Sequence, residues 1–151
     1  RSWNSHQDRG VKAEIVRRKL DALARCIQRV EETLPEDPEG LIENQNTQDI
    51  VAMNVERAVQ MCVAAATHIL SDTSEAFPET MAELFPQLAW AGVIDQPLAD
   101  VMKRAVGLRN LAVHEYTELD WKKLHAYLPK ALSDLREFAS RIDGKLGDST
   151  W

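Results

Sequence analysis

Cysteine is nearly absent: the 151-residue chain has only Cys26 and Cys62. They are isolated, which excludes a disulfide framework and the paired spacing of a zinc or redox motif. Both fall on helical apolar stripes and read as reduced core residues, as suits a cytoplasmic protein. No apolar run approaches the roughly 20 residues of a membrane span. Alternating strand patterns, internal repeats and low-complexity tracts are missing as well. So are H-E-x-x-H spacing among the four histidines, a P-loop, a G-x-S-x-G elbow and a catalytic-cysteine context, so neither a metal nor a cofactor is expected. Positive charge is in deficit, 18 Lys and Arg against 24 Asp and Glu, a net charge of −6. That balance argues against coating nucleic acid through bulk electrostatics. It leaves room for a local basic cleft around Lys103, Arg104, Arg109, Lys122 and Lys123, which read equally well as a solvated face.

What is present is helical periodicity, in a chain with 44% hydrophobic and 28% charged residues, long enough for one domain with a sizeable core. Residues 1–10 are polar, without a signal peptide's apolar core or an initiating Met, and read as a disordered leader with a trimmed start. Val16, Leu20, Leu23, Ile27, Val30 and Leu34 form a helix seam ending before Pro35. Pro35 to Gln45 reads as a loop or helix break. A second seam, Val51, Val55, Ala58, Cys62, Ala65 and Ile69, has Asn46 or Thr47 as its expected N-cap. After a loop from Ser71, Pro78 is expected to open a short helix reaching about Gly92, broken or bent at Pro86. Asp95 is placed to cap the next helix, with Pro97 in its first turn. Thr117 and Asp120 resemble a capping box for a last helix with Trp121, Leu124, Leu128, Ala131, Leu135, Phe138 and Ile142 in seam, kinked at Pro129 and ended by Gly144. The prediction is an all-α protein: an antiparallel four-helix bundle with an additional short helix over residues 11–144, and a tail over 145–151.

One segment departs from ordinary amphipathic design: Arg104-Ala-Val-Gly-Leu-Arg-Asn-Leu-Ala-Val-His-Glu-Tyr116. At about 100° per residue, Arg109, Asn110, His114 and Tyr116 fall towards the arc that carries Leu98, Met102, Val106 and Val113. Polar groups on a packing arc need partners. Imidazole titrates near neutrality and suits His114 to proton transfer, whereas the guanidinium of Arg109 suits phosphate oxygens. Asn110, one turn before His114, can orient the ring or touch a substrate. Two copies facing each other across a dimer would make a fuller site than one. The alternative stays open on spacing alone: Arg109 and His114 cap a helix end or pair with Glu115 or Glu118, and Tyr116 packs on Trp121 or Leu124. His68 reads as a partner of its helix dipole, His125 as a surface residue and His6 as part of the leader.

Arg109-Asn-Leu-Ala-Val-His114-Glu-Tyr116 resembles the R-N-x-x-x-H-x-Y signature of HepT-type toxins of the HEPN superfamily. Asn54 to Leu70 resembles that family's second helix and Met81 to Ile94 its short helix and turn, and residues 11–143 follow the family pattern in order. The resemblance implies a homodimeric, metal-independent endoribonuclease, the toxin of a type VII-like toxin–antitoxin system. It implies Arg109 and His114 as catalytic residues meeting across the dimer interface, His114 as general acid or base and Arg109 as stabiliser of the transition state, with Asn110 in support. The implied partners are RNA and a minimal nucleotidyltransferase antitoxin that transfers AMP to the motif tyrosine, here Tyr116. A non-catalytic HEPN module that docks a nucleotidyltransferase or a nucleotide is the alternative.

Overall fold

Why this sequence makes helices, and where each one stops, is visible in a computed structural model that describes residues 2–71 and 78–147. Helix α1 spans Ser2–Thr33, α2 Pro38–Ile42, α3 Gln45–Leu70, α4 Leu84–Trp90, α5 Gln96–His114 and α6 Trp121–Leu146, with a 3-10 turn at Tyr116–Glu118. The four long helices form the expected antiparallel all-α bundle. Among the described residues there is no strand, and no helix is long and apolar enough to cross a membrane.

The 3-4 seams bury as their periodicity demands. Val16, Leu20, Leu23, Ile27 and Val30 of α1 meet Val51, Val55, Ala58, Cys62, Ala65 and Ile69 of α3 in one core. α3 packs against every other helix, and its buried Ala52, Ala58, Ala65 and Ala66 keep its girth small where neighbours crowd it. Phe85 of α4 and Phe138 of α6, both fully buried, pack edge to face with ring centroids 5.5 Å apart. That contact pins the short helix to the bundle.

Several boundaries differ from expectation, each for a local reason. α1 begins at Ser2, because no proline interrupts residues 2–10 and one glycine costs a helix only about 1 kcal/mol. The region expected as a loop or break after Pro35 contains α2, opened by Pro38 and anchored by fully buried Leu41. Asn44, rather than Asn46 or Thr47, caps α3 by accepting from the Thr47 amide at 3.1 Å. The short helix starts at Leu84, not Pro78, and Pro86 falls within its first turn, where a missing N–H costs little. Asp95 caps α5 as expected, accepting from the Leu98 amide at 2.9 Å, with Pro97 in the first turn.

Asp120 alone caps α6, accepting from the Lys123 amide at 3.1 Å, while Thr117 lies in the 3-10 turn. α6 runs past exposed Pro129 and past Gly144 to Leu146, whose burial repays the extra turn, and Gly147 is its C-cap. The C-terminal part of the tail, from residue 148, lies outside the described residues. His125 is half-buried rather than a surface residue, and its Nε2–H donates to the Pro35 carbonyl at 2.7 Å. That bond ties the segment between α1 and α2 to α6.

Candidate functional site at the end of helix α5

The motif occupies the last turns of α5, where the helix leaves the core. Leu98, Met102 and Val106 are buried, but Asn110, Leu111, Val113 and His114 are exposed. The sequence arc therefore holds for the first half of the helix and fails for the second. There only Leu108, Arg109 and Ala112 stay half-buried, while Asn110, Leu111, Val113 and His114 face outward.

Arg109 stands at the border between the two halves. Its Nη1 donates to the Oδ1 of Asn110 at 3.0 Å. Its Nε is buried and has no hydrogen-bond partner among the described residues. A buried guanidinium N–H without an acceptor is costly, so the group is poised to accept an anionic partner. His114 is exposed and bonded to no described residue. Pairing with Glu115 or Glu118, the alternative allowed by spacing, is not found for either residue. Lys103, Gly107, Asn110 and His114 recur at helical spacing and are all exposed, giving α5 one outward polar stripe. A side chain added at Gly107 would meet nothing within 4 Å. None of Lys103, Arg104, Lys122 or Lys123 forms an ion pair with a described residue, although all are exposed. Four exposed basic side chains on α5 and the start of α6 are thus free of ion pairs with described residues, among exposed Asp100, Glu115, Glu118 and Asp120.

Beside this stripe, Leu108 and Leu111 of α5, Leu119, and Leu124 and Tyr127 of α6 line an almost wholly apolar cavity of about 280 Å³. Asp120 and Lys123 complete its wall. Exposed Leu111 and Val113 extend the apolar character onto the surface next to Arg109 and His114.

Tyr116 is not on the helix. α5 stops at His114, and Glu115 turns the backbone out of helical geometry at φ −132° and ψ 36°. Tyr116 then starts the 3-10 turn, so the wheel position derived from a continuing helix does not apply to it. Its ring packs edge to face on Trp121, centroids 5.5 Å apart, which is the packing role weighed from sequence. Its hydroxyl also donates to the carboxylate of Asp49, 67 residues away on α3. Burial, the bond to Asp49 and the charge of Asp49, in that order, push the phenol up to about 12. Asp49 went unnoticed in the sequence: it lies off the apolar seam of α3, and nothing local marks it. A half-buried tyrosine hydroxyl needs an acceptor, but nothing in the sequence says that it lies on another helix.

Cys26 and Cys62 are both free thiols, and burial pushes both upward in pKa. Among the described residues no three His, Cys, Asp or Glu side chains are grouped to hold a metal ion.

Comparison with known proteins bears on the whole of this arrangement. The mRNA nuclease HepT of Shewanella oneidensis is 32% identical over 129 residues, 85% of this chain and 96% of that protein. A toxin–antitoxin crystal structure with AMP-PNP contains a chain that superposes with a TM-score of 0.80 at 30% identity, over 87% of this chain and 98% of its own. The tri-AMPylated HEPN toxin of Shewanella oneidensis, solved in complex with MNT antitoxin, superposes with a TM-score of 0.79 at 32% identity, over 86% of this chain and 97% of that one. The family described as Ribonuclease HepT-like matches residues 23–142. On sequence, fold and coverage together, this chain belongs to the HepT-like ribonuclease family.

Proposed function

We propose that the chain is the toxin of a toxin–antitoxin pair and a metal-independent endoribonuclease whose active site is completed in a homodimer. The carrying observation is the state of the motif in one protomer: Arg109 with a buried, unpartnered Nε, and His114 free in solvent five residues on. Neither group is satisfied within its own bundle, and exposed Leu111 and Val113 beside them give a second copy something to cover. The similar protein from Shewanella oneidensis, named an mRNA nuclease, supports RNA as the substrate class.

In this reading the 2′-hydroxyl of RNA attacks the adjacent phosphorus and the 5′-oxygen departs, leaving a 2′,3′-cyclic phosphate. His114 takes or returns the proton, and Arg109 neutralises the charge that builds on the phosphoryl oxygens. Asn110 holds the guanidinium in plane through its 3.0 Å bond. The basic side chains of Lys103, Arg104, Lys122 and Lys123 guide the RNA backbone. The partner is a minimal nucleotidyltransferase that silences the toxin by placing AMP on Tyr116. The tri-AMPylated toxin bound to its MNT antitoxin supports this mode of control. An AMP at this point adds an anion and a purine at the very end of α5.

Cleavage of single-stranded RNA by the purified protein in EDTA tests the reading. His114→Ala is expected to lower the rate by about 10²–10⁴-fold. Arg109→Ala should lower it by about 10²–10³-fold. Arg109→Lys should restore little, because a point charge cannot replace a planar pair of donors. Persistent cleavage in both alanine variants, or its loss in EDTA, would refute the mechanism. RNA bound but uncut by the wild-type protein would identify a non-catalytic module instead.

A further inference from the structure

The hydrogen bond between Tyr116 and Asp49 joins the 3-10 turn after α5 to α3, and it lies at the surface. Asp49 is exposed, and Tyr116 is held on its other side by Trp121. A tyrosine hydroxyl is a poor nucleophile until its proton leaves, and this one is further disfavoured as a phenolate, lying near 12. Any transfer to its oxygen needs a base within hydrogen-bond reach, and one carboxylate is already there.

We propose that Asp49 is the proton acceptor for nucleotidylation of Tyr116, so that the toxin supplies part of the chemistry of its own silencing. This rests on the reading above that Tyr116 is the modified residue. The co-reactant is a nucleoside triphosphate brought by the transferase. The Tyr116 Oη attacks the α-phosphorus, the bond from that phosphorus to the bridging oxygen of the β-phosphate breaks, and pyrophosphate leaves with the electron pair. As the new P–O bond forms, the phenolic proton becomes acidic and passes to an Asp49 carboxylate oxygen, then to solvent. The phenol needs no reorientation to find its base, because the hydrogen bond that aims the proton exists before the partner arrives. The product has lost its donor and gained an anion, so the ester no longer bonds to Asp49 but is repelled by it. That makes the step favour departure of the modified ring from its site on α3.

Single-turnover modification by the cognate transferase with ATP, followed by intact mass, tests this. Asp49→Asn keeps an acceptor of the same shape but loses the basicity. It is expected to slow transfer by about 10²-fold or more with the KM for ATP unchanged. In Asp49→Ala, added formate should restore part of the rate, which a structural role would not allow. Thermal melting of both variants beside wild type establishes that the fold holds, as expected for an exposed side chain. Transfer to Asp49→Asn within a factor of about three of wild type would overturn the proposal. So would failure of formate to speed Asp49→Ala. Tyr116→Phe separates the two ideas. If it is still modified, the reading of Tyr116 fails; if it is inert while Asp49→Asn is modified normally, only the role of Asp49 fails.

Discussion

Leu111 offers a quantitative test of the proposed dimer. It lies next to Asn110 near the end of α5 and keeps 45% of its surface exposed in the single chain. Full burial of a leucine side chain is worth about 1.5–3 kcal/mol, so roughly 1 kcal/mol remains to be gained when a partner covers it. A two-fold interface holds the residue twice, once from each protomer. Leu111→Ala then removes about 1.5–2 kcal/mol from association, and the dimer Kd rises about 10–30-fold. Sedimentation velocity over a dilution series reads this directly. Trp90→Ala is the control, because Trp90 is more exposed, at 83%, but belongs to α4 and not to the motif face. RNA cleavage should fall with the dimer fraction and recover at high protein concentration, since Leu111 carries no chemistry. A wild-type protein that stays monomeric at micromolar concentration would refute the reasoning. An unchanged Kd in Leu111→Ala would refute it as well.

Two further predictions concern the scaffold. Phe138→Ala empties a fully buried site and removes the edge-to-face contact with Phe85, so unfolding stability should drop by about 3–5 kcal/mol, seen as a lower denaturant midpoint at unchanged slope. The Leu98 amide first, and Arg141 second, hold the carboxyl of Asp95 below its usual range. Its folded-state pKa is thus depressed, so the charge stabilises the protein fully above the unfolded carboxylate value, and that contribution is lost as pH falls from there through the lower folded-state value. Asp95→Asn, which keeps a capping oxygen, should therefore melt below wild type near neutrality, with the gap closing as the pH drops below about 4.

Most of the bundle was legible because seams bury in proportion to their regularity. The run from Val16 to Val30 and the run from Trp121 to Ile142 need no tertiary information to declare a helix and its inner face. α2 was not legible: five residues with one buried leucine carry no period, and a proline pair reads as a break until Leu41 finds its place. The α6 terminus slipped from Gly144 to Gly147 because a glycine inside a helix is a small cost that burial of Leu146 overrides. At the site, the residue types and spacing of Arg109, Asn110 and His114 were plain, but their exposure was not. A helical wheel cannot say where the surrounding bundle ends. Tyr116 was placed wrongly for a related reason, since its position is set by a turn at Glu115 and by Asp49 on another helix. Contacts between residues 67 or 90 apart, such as Tyr116 with Asp49 and His125 with Pro35, leave no trace in local sequence.

The edge-to-face contact of Tyr116 with Trp121 has an optical consequence. Rings 5.5 Å apart are close enough for light absorbed by the phenol to pass to the indole. Trp121 is half-buried at the first position of α6, so its emission depends on which ring lies beside it and how much water reaches it. Trp90, in nearly full contact with solvent, contributes a red-shifted background that ignores the motif. Anything that alters or displaces the Tyr116 ring therefore changes the colour and yield of the protein's own fluorescence, without a label.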